Sequence, residues 1–154
     1  MILPFDNEGM YTTEQLQNAA QRVANVYAEI ANREMGCNIP IPVPMTFDLC
    51  KINPSWSGAA HSSMLIDLNM ILFEDDVADM LNDTIPHEIA HLVQYDKFDH
   101  RGADTQNHGA EWQEIMKRLG KAKPVKRGTL DLTRAKAWYK EYKKSQRKNK
   151  KAEA

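Results

Sequence analysis

The stretch His87-Glu88-Ile89-Ala90-His91 restricts the fold of this chain more than any other. Two histidines four residues apart share a side of the backbone only if it is helical, where they project about 40° apart, one turn up. Apolar residues at Val77, Met80, Leu81, Ile85, Ile89, Leu92 and Val93 repeat with helical spacing on both sides of the motif, so the segment reads as a helix with a buried stripe. Two imidazoles on such a helix can bind one Zn2+. Glu88, beside the first, is placed to reach a water on the metal rather than the metal itself. Zinc lowers the pKa of that water toward neutrality and the glutamate takes its proton, which suits amide hydrolysis. Glu74, Asp75 and Asp76 precede the stripe and predict the helix N-terminus. Pro86 lies inside it, so either the helix kinks there or a new helix starts with Pro86 in its first turn.

A catalytic zinc needs a third protein ligand and an open position. A metzincin site would require Gly at position 94 and His at 97, and the chain has Gln94 and Lys97. The remaining candidates are His100, His108, Glu111 and Glu114. His100 falls in a polar stretch, 96–107, and reads as a solvated loop residue. Glu111 has the separation of a thermolysin-like glutamate ligand. His108 opens the run His108-Gly109-Ala110-Glu111-Trp112, where Gly109 permits close backbone approach. Residue types alone do not choose between His108 and Glu111.

The rest of the chain supplies a small scaffold. Thr12 and Gln15 form a capping-box pattern ahead of Leu16, Ala19, Ala20, Val23, Val26, Tyr27, Ile30 and Ala31, which predicts a helix over 13–35 closed by Gly36. Prolines 40, 42 and 44 then bar a helix or a central strand. Strands are predicted over 45–52 and 63–69, with a short one near 57–61 between them, as an antiparallel meander. Further helices are predicted over 109–119, with Trp112, Ile115, Met116 and Leu119 on one face, and over 131–146, with fraying after 147.

With 154 residues, 42% apolar and 27% charged, the chain is sized for one globular core. No apolar run approaches the length that crosses a bilayer. The start, Met1-Ile-Leu-Pro-Phe-Asp, lacks the basic and apolar regions of a secretory signal, so a cytoplasmic location is expected. Cys37 and Cys50 are too few for a disulfide framework or a four-cysteine zinc cage and read as packed, reduced thiols. The net charge of −1 hides a division: residues 117–154 hold 15 of the 20 Lys+Arg and three acids, a net of +12, leaving −13 on residues 1–116. Such a basic arm is a candidate for an anionic partner, or it docks on the acidic body.

The pairing of HEIAH with a downstream HGAEW, across a polar loop and into an amphipathic helix, resembles the SprT/Spartan family of zinc metallopeptidases. That family carries HExxH and, after a loop of comparable length, His-Gly-x-x-aromatic, whose histidine is the third ligand. The resemblance covers about residues 12–120. It implies that His87, His91 and His108 hold one Zn2+, that Glu88 is the catalytic base, and that Glu111 supports a histidine N–H from outside the ligand set. It also implies a polypeptide substrate added to a strand edge beside the metal, expected from the strand at 63–69. Tyr95 and His61 are possible oxyanion donors, though each reads first as an ordinary structural residue. No cysteine follows Cys50, so the C-terminal zinc ribbon of some members is not expected. Spartan proteins act on DNA–protein crosslinks, which makes DNA a candidate partner of the basic arm. Trp138, Tyr139 and Tyr142 lie there among lysines, where they could stack on bases or pack on the body.

The expectation is therefore an α+β, minimal zincin-like domain over 1–120 with a basic helical extension over 121–154. It has an N-terminal helix, a three-stranded antiparallel sheet, an active-site helix and a third-ligand helix. The expected function is a zinc-dependent endopeptidase, its targets including DNA-associated proteins. The alternative is a nucleic-acid-binding protein whose zinc site is structural. The oligomeric state is not legible in the sequence.

Overall fold

The first helix, α1 (Thr13–Met35), begins and ends at its predicted caps. The Thr12 side chain accepts the Gln15 N–H at 3.1 Å and the Gln15 side chain accepts the Thr12 N–H at 2.9 Å. Gly36 closes it in the left-handed conformation, φ 63°, which a glycine adopts without steric cost. These details come from a computed structural model that describes residues 10–97, 108–121 and 130–153. The inward face of α1 is shifted from the predicted one: Leu16, Ala20, Ala24, Ala28 and Ala31 are buried, Val23, Tyr27 and Ile30 pack against the core partly buried, and Val26 faces solvent. Alanines at four-residue spacing let another helix approach closely, which large side chains would prevent.

The proline-rich connector returns along α1, which satisfies its backbone. Asn32 exchanges hydrogen bonds with the N–H and C=O of Ile39 at 2.9 and 3.0 Å. Asn25 accepts the Val43 N–H at 3.0 Å, and Gln21 donates to the Val43 carbonyl at 3.0 Å. The connector delivers β1 (Met45–Thr46), followed by β2 (Gly58–Ala60) and β3 (Ile66–Leu68) in a sheet ordered β1-β3-β2.

The sheet corrects the expected meander. β2 and β3 are antiparallel, but β1 pairs with β3 in parallel, so the sheet is mixed. The predicted strand 45–52 stops early because the Asp48 side chain accepts the Cys50 N–H and turns the chain into a 3-10 helix, Leu49–Lys51. That turn carries the chain past β1, and β3 comes back between the two earlier strands. β3 is buried throughout, Asp67 included. Asp67 accepts from Thr46 and bonds His61 Nε2 at 2.7 Å.

The acids at 74–76 are also corrected. Helix α2 (Met70–Asp75) starts at Asn69, whose side chain accepts the N–H groups of Ile71 and Leu72. Glu74 and Asp75 therefore end a helix rather than begin one, and both pair with Arg134. Only Asp76 caps as expected, accepting the Asp79 N–H for α3 (Val77–Asp79). A π-helical turn, Met80–Thr84, then runs into α4 (Ile85–Lys97). Pro86 has no N–H to give the preceding turn, and the wider turn accommodates that loss.

Helix α5 (Ala110–Arg118) packs Trp112, Ile115 and Met116 inward against α4, which also packs on α1. Helix α6 (Thr133–Glu153) passes the predicted end at 146 and does not fray at 147. Lys, Arg, Gln and Ala are strong helix formers, and cations suit a helix C-terminus. Ala135 and Trp138 pack with Leu49, Ile71 and Leu72. Trp138 and Tyr142 stack with ring centroids 5.3 Å apart.

The fold is thus α+β, with several helices around a small sheet. Cys37 is buried, but Cys50 is exposed, contrary to the expectation of two packed thiols. Burial, aided by neighbouring Asp96, pushes the Cys37 thiol pKa up. Among the described residues no helix is long and apolar enough to cross a membrane.

Candidate metal centre

Helix α4 presents His87 and His91 on one side, with ring centroids 4.9 Å apart. The turn before α5 brings His108 to the same point. Trp112 governs that approach: its indole N–H donates to the His87 carbonyl at 3.4 Å, and its ring lies 4.7 Å from His87 and 5.0 Å from His108. The Nε2 atoms of His87, His91 and His108 stand 2.9–3.2 Å from one another. Tetrahedral ligands at zinc–nitrogen distances would be about 3.4 Å apart. Of the described residues, these three form the cluster able to hold a metal ion.

The polar groups behind His91 determine which of its nitrogens faces the centre. His91 Nδ1 lies 2.8 Å from Gln94 Oε1, and Gln94 Nε2 donates to Glu111 Oε1 at 3.2 Å. A carboxylate can only accept, so the amide NH2 faces Glu111 and the amide oxygen faces His91. His91 then carries its proton on Nδ1, and its Nε2 lone pair points at the other two rings. A lone pair so placed suits a shared cation. Gln94 is fully buried, which holds the arrangement rigid.

Glu88 is 4% exposed and packs beneath β2. A Cβ at Gly58 would stand 3.0 Å from both Glu88 Cγ and Thr84 Cγ2, and 3.2 Å from Glu88 Oε1. A glycine here lets the strand backbone close on the carboxylate. The buried Thr84 hydroxyl donates to Ser57 Oγ at 3.2 Å, tying the π-helical turn to the start of β2. The triad and Glu88 open onto a cleft of about 610 Å³ whose walls include Trp56, Gly58–Ala60, Asp83, Tyr95, Trp112 and Gln113.

Other candidates from the sequence lie elsewhere. Glu111 is held by Gln94 outside the triad, and Glu114 pairs with Arg118 on the exposed side of α5 at 3.6 Å. His100 lies outside the described residues. Tyr95 lines the cleft, whereas His61 is engaged by Asp67. The strand edge also moves: β3 is central, and the strand lining the cleft is β2. Sequence reasoning missed Gln94, Gly58 and the contact of Trp112 with His87. Of these, Gln94 carried a signal, since it follows His91 by three residues and so shares its helix face.

Comparison with known proteins places these residues in context. The family model described as SprT-like family matches residues 43–146. Protein SprT of Pseudomonas syringae pv. tomato is 37% identical over 79 residues, 51% of this chain and 46% of that protein. Protein SprT of Yersinia pseudotuberculosis serotype IB is 31% identical over 109 residues, 68% of this chain and 57% of that protein. The chain spans about half the length of the curated relatives it matches. No solved structure matches significantly.

Proposed function

The chain belongs to the SprT-like family, and from that premise we propose that it is a zinc-dependent endopeptidase. The observation that carries the reading is the meeting of His87, His91 and His108 Nε2 atoms beside a buried glutamate. Three imidazole nitrogens are a donor set that zinc favours, and three protein ligands leave a position for substrate. When bound, zinc supplies Lewis acidity and makes a water nucleophilic at neutral pH. With the metal in place, Glu88 would accept a proton from the attacking water and return it to the leaving amine. Gly58 lets Glu88 lie against β2, and Gln94 keeps His91 in the tautomer that ligates. An extended polypeptide would add to β2 through main-chain hydrogen bonds, which supply affinity whatever the side chains.

Zinc-loaded protein should degrade casein. Chelation should lower the rate by more than about a hundredfold, and stoichiometric Zn2+ should restore it. Equal cleavage by the metal-free protein would rule the proposal out. The alternative, a structural zinc in a nucleic-acid-binding protein, calls for a fourth protein ligand. The engagement of Glu111 by Gln94 favours the open, catalytic reading.

A second observation concerns α6. Ala135, Trp138 and Arg134 face the body, while Lys136, Lys140, Lys143, Lys144, Arg147 and Lys148 are exposed. We propose that this face holds DNA, through its phosphates and without base readout. Changing Lys140, Lys143, Lys144 and Lys148 to alanine leaves the docking residues intact. It should flatten the salt dependence of DNA affinity by about 0.9 in logarithmic slope for each phosphate that is no longer neutralised. Binding isotherms across a salt series test this, and an unchanged slope would remove α6 from the interface.

A further inference from the structure

Trp56 is 55% exposed. Among the described residues it is the one exposed large apolar side chain that also lines the cleft of the histidine triad. Its backbone is nonetheless firmly held. The Trp56 N–H donates to the Asn53 carbonyl at 2.9 Å and the Ser55 N–H to the Asn53 side chain at 2.9 Å. Asn69, 1% exposed, donates its side-chain amide to the Pro54 carbonyl at 3.4 Å and its N–H to the Ser57 carbonyl at 2.9 Å. The chain is thus clamped to the interior on both sides of the tryptophan. A rigidly mounted indole loses little conformational entropy on binding a ligand.

Trp56 precedes Gly58, where β2 begins, by two residues. A segment lying along β2 would therefore pass the indole within the cleft that the triad and Glu88 open onto. The charge of the walls decides what kind of segment. None of the described residues lining the cleft is Lys or Arg, and Asp83 and Glu88 are acidic. Apart from the metal the triad would hold, a phosphodiester chain would find two carboxylates and no Lys or Arg among the described lining residues. An uncharged polypeptide segment with a bulky apolar side chain meets no such penalty.

Building on the peptidase reading, we infer that Trp56 is a specificity-determining wall that holds an aromatic or branched aliphatic substrate side chain at one fixed offset from the cleaved bond. Folded proteins keep such side chains inside. The substrates are accordingly unfolded or locally opened chains.

The test compares wild type with Trp56→Ala on denatured casein, mapping the cleaved bonds by mass spectrometry of the products. Wild-type sites should share a bulky apolar residue at one offset, and the variant should lose that enrichment. For a peptide carrying Phe there, kcat/KM should fall about tenfold, mostly through KM, with recovery in Trp56→Phe. A matched Gly peptide should be cleaved equally by both proteins. Binding of the same labelled peptides to Glu88→Gln, with and without Trp56→Ala, reads the subsite without turnover. Peptide binding that weakens about tenfold in the double variant supports the inference even if wild type cleaves nothing, an outcome that would sink only the peptidase reading. Unchanged enrichment, unchanged peptide binding, equal losses on both peptides, or a loss confined to labelled single-stranded DNA would overturn it.

Discussion

Glu88→Gln should bind one zinc per chain and cleave casein about 10²–10⁴-fold more slowly than wild type, the range for removing a positioned proton acceptor. The substitution keeps the shape of the side chain, so its contact with Gly58 survives. An amide cannot take a proton from water, so the step assigned to Glu88 fails. Folding should not suffer. Glu88 is 4% exposed, and a neutral amide costs less to bury than a carboxylate. Melting temperature should be equal or slightly higher, with zinc content by atomic absorption unchanged. A variant that keeps both its zinc and its rate would show that another group moves the proton. A variant that loses its zinc would place Glu88 in the ligand set.

His108→Ala should cost zinc affinity more than about a hundredfold, beyond the 10–100-fold expected of an outer partner. Its side chain is exposed and lies just before α5, which Trp112, Ile115 and Met116 hold to α4. The fold should therefore persist without the imidazole. A ligand that binds only the folded state raises the melting temperature by mass action. Wild type should accordingly gain stability on adding Zn2+, and His108→Ala should not. Gln94→Leu removes the acceptor at His91 Nδ1 while leaving three ligands, so it should fall between the two, about 10–100-fold weaker. Calorimetric zinc titration ranks the three proteins. If Glu111→Ala abolishes binding while His108→Ala retains it, the carboxylate and not the imidazole is the third ligand.

The pairing of His87 with His91 was readable from its spacing because it is local, whereas the choice of His108 over Glu111 rested on the family resemblance. His87 and His91 share a face of α4 by helical geometry, and Thr12 with Gln15 and Gly36 bounds α1 to the residue. Positions that depend on distant partners were less legible. The acids at 74–76 suit a helix start by local electrostatics, yet Arg134, about sixty residues away, claims two of them. The stripe of α1 shifts toward alanine because α4 needs to come close, a demand that periodicity does not express.

Contacts within about one helical turn are written into residue order, so α1 with its caps, α5 and the pairing of His87 with His91 were already present in the chain as text. Strand order, the edge that faces the cleft, the rotation of Gln94 between His91 and Glu111, and the fit of Gly58 over Glu88 are not. Each of these joins segments separated by loops. Packing and hydrogen-bond satisfaction across the whole core then choose among arrangements that local preference leaves nearly equal in energy.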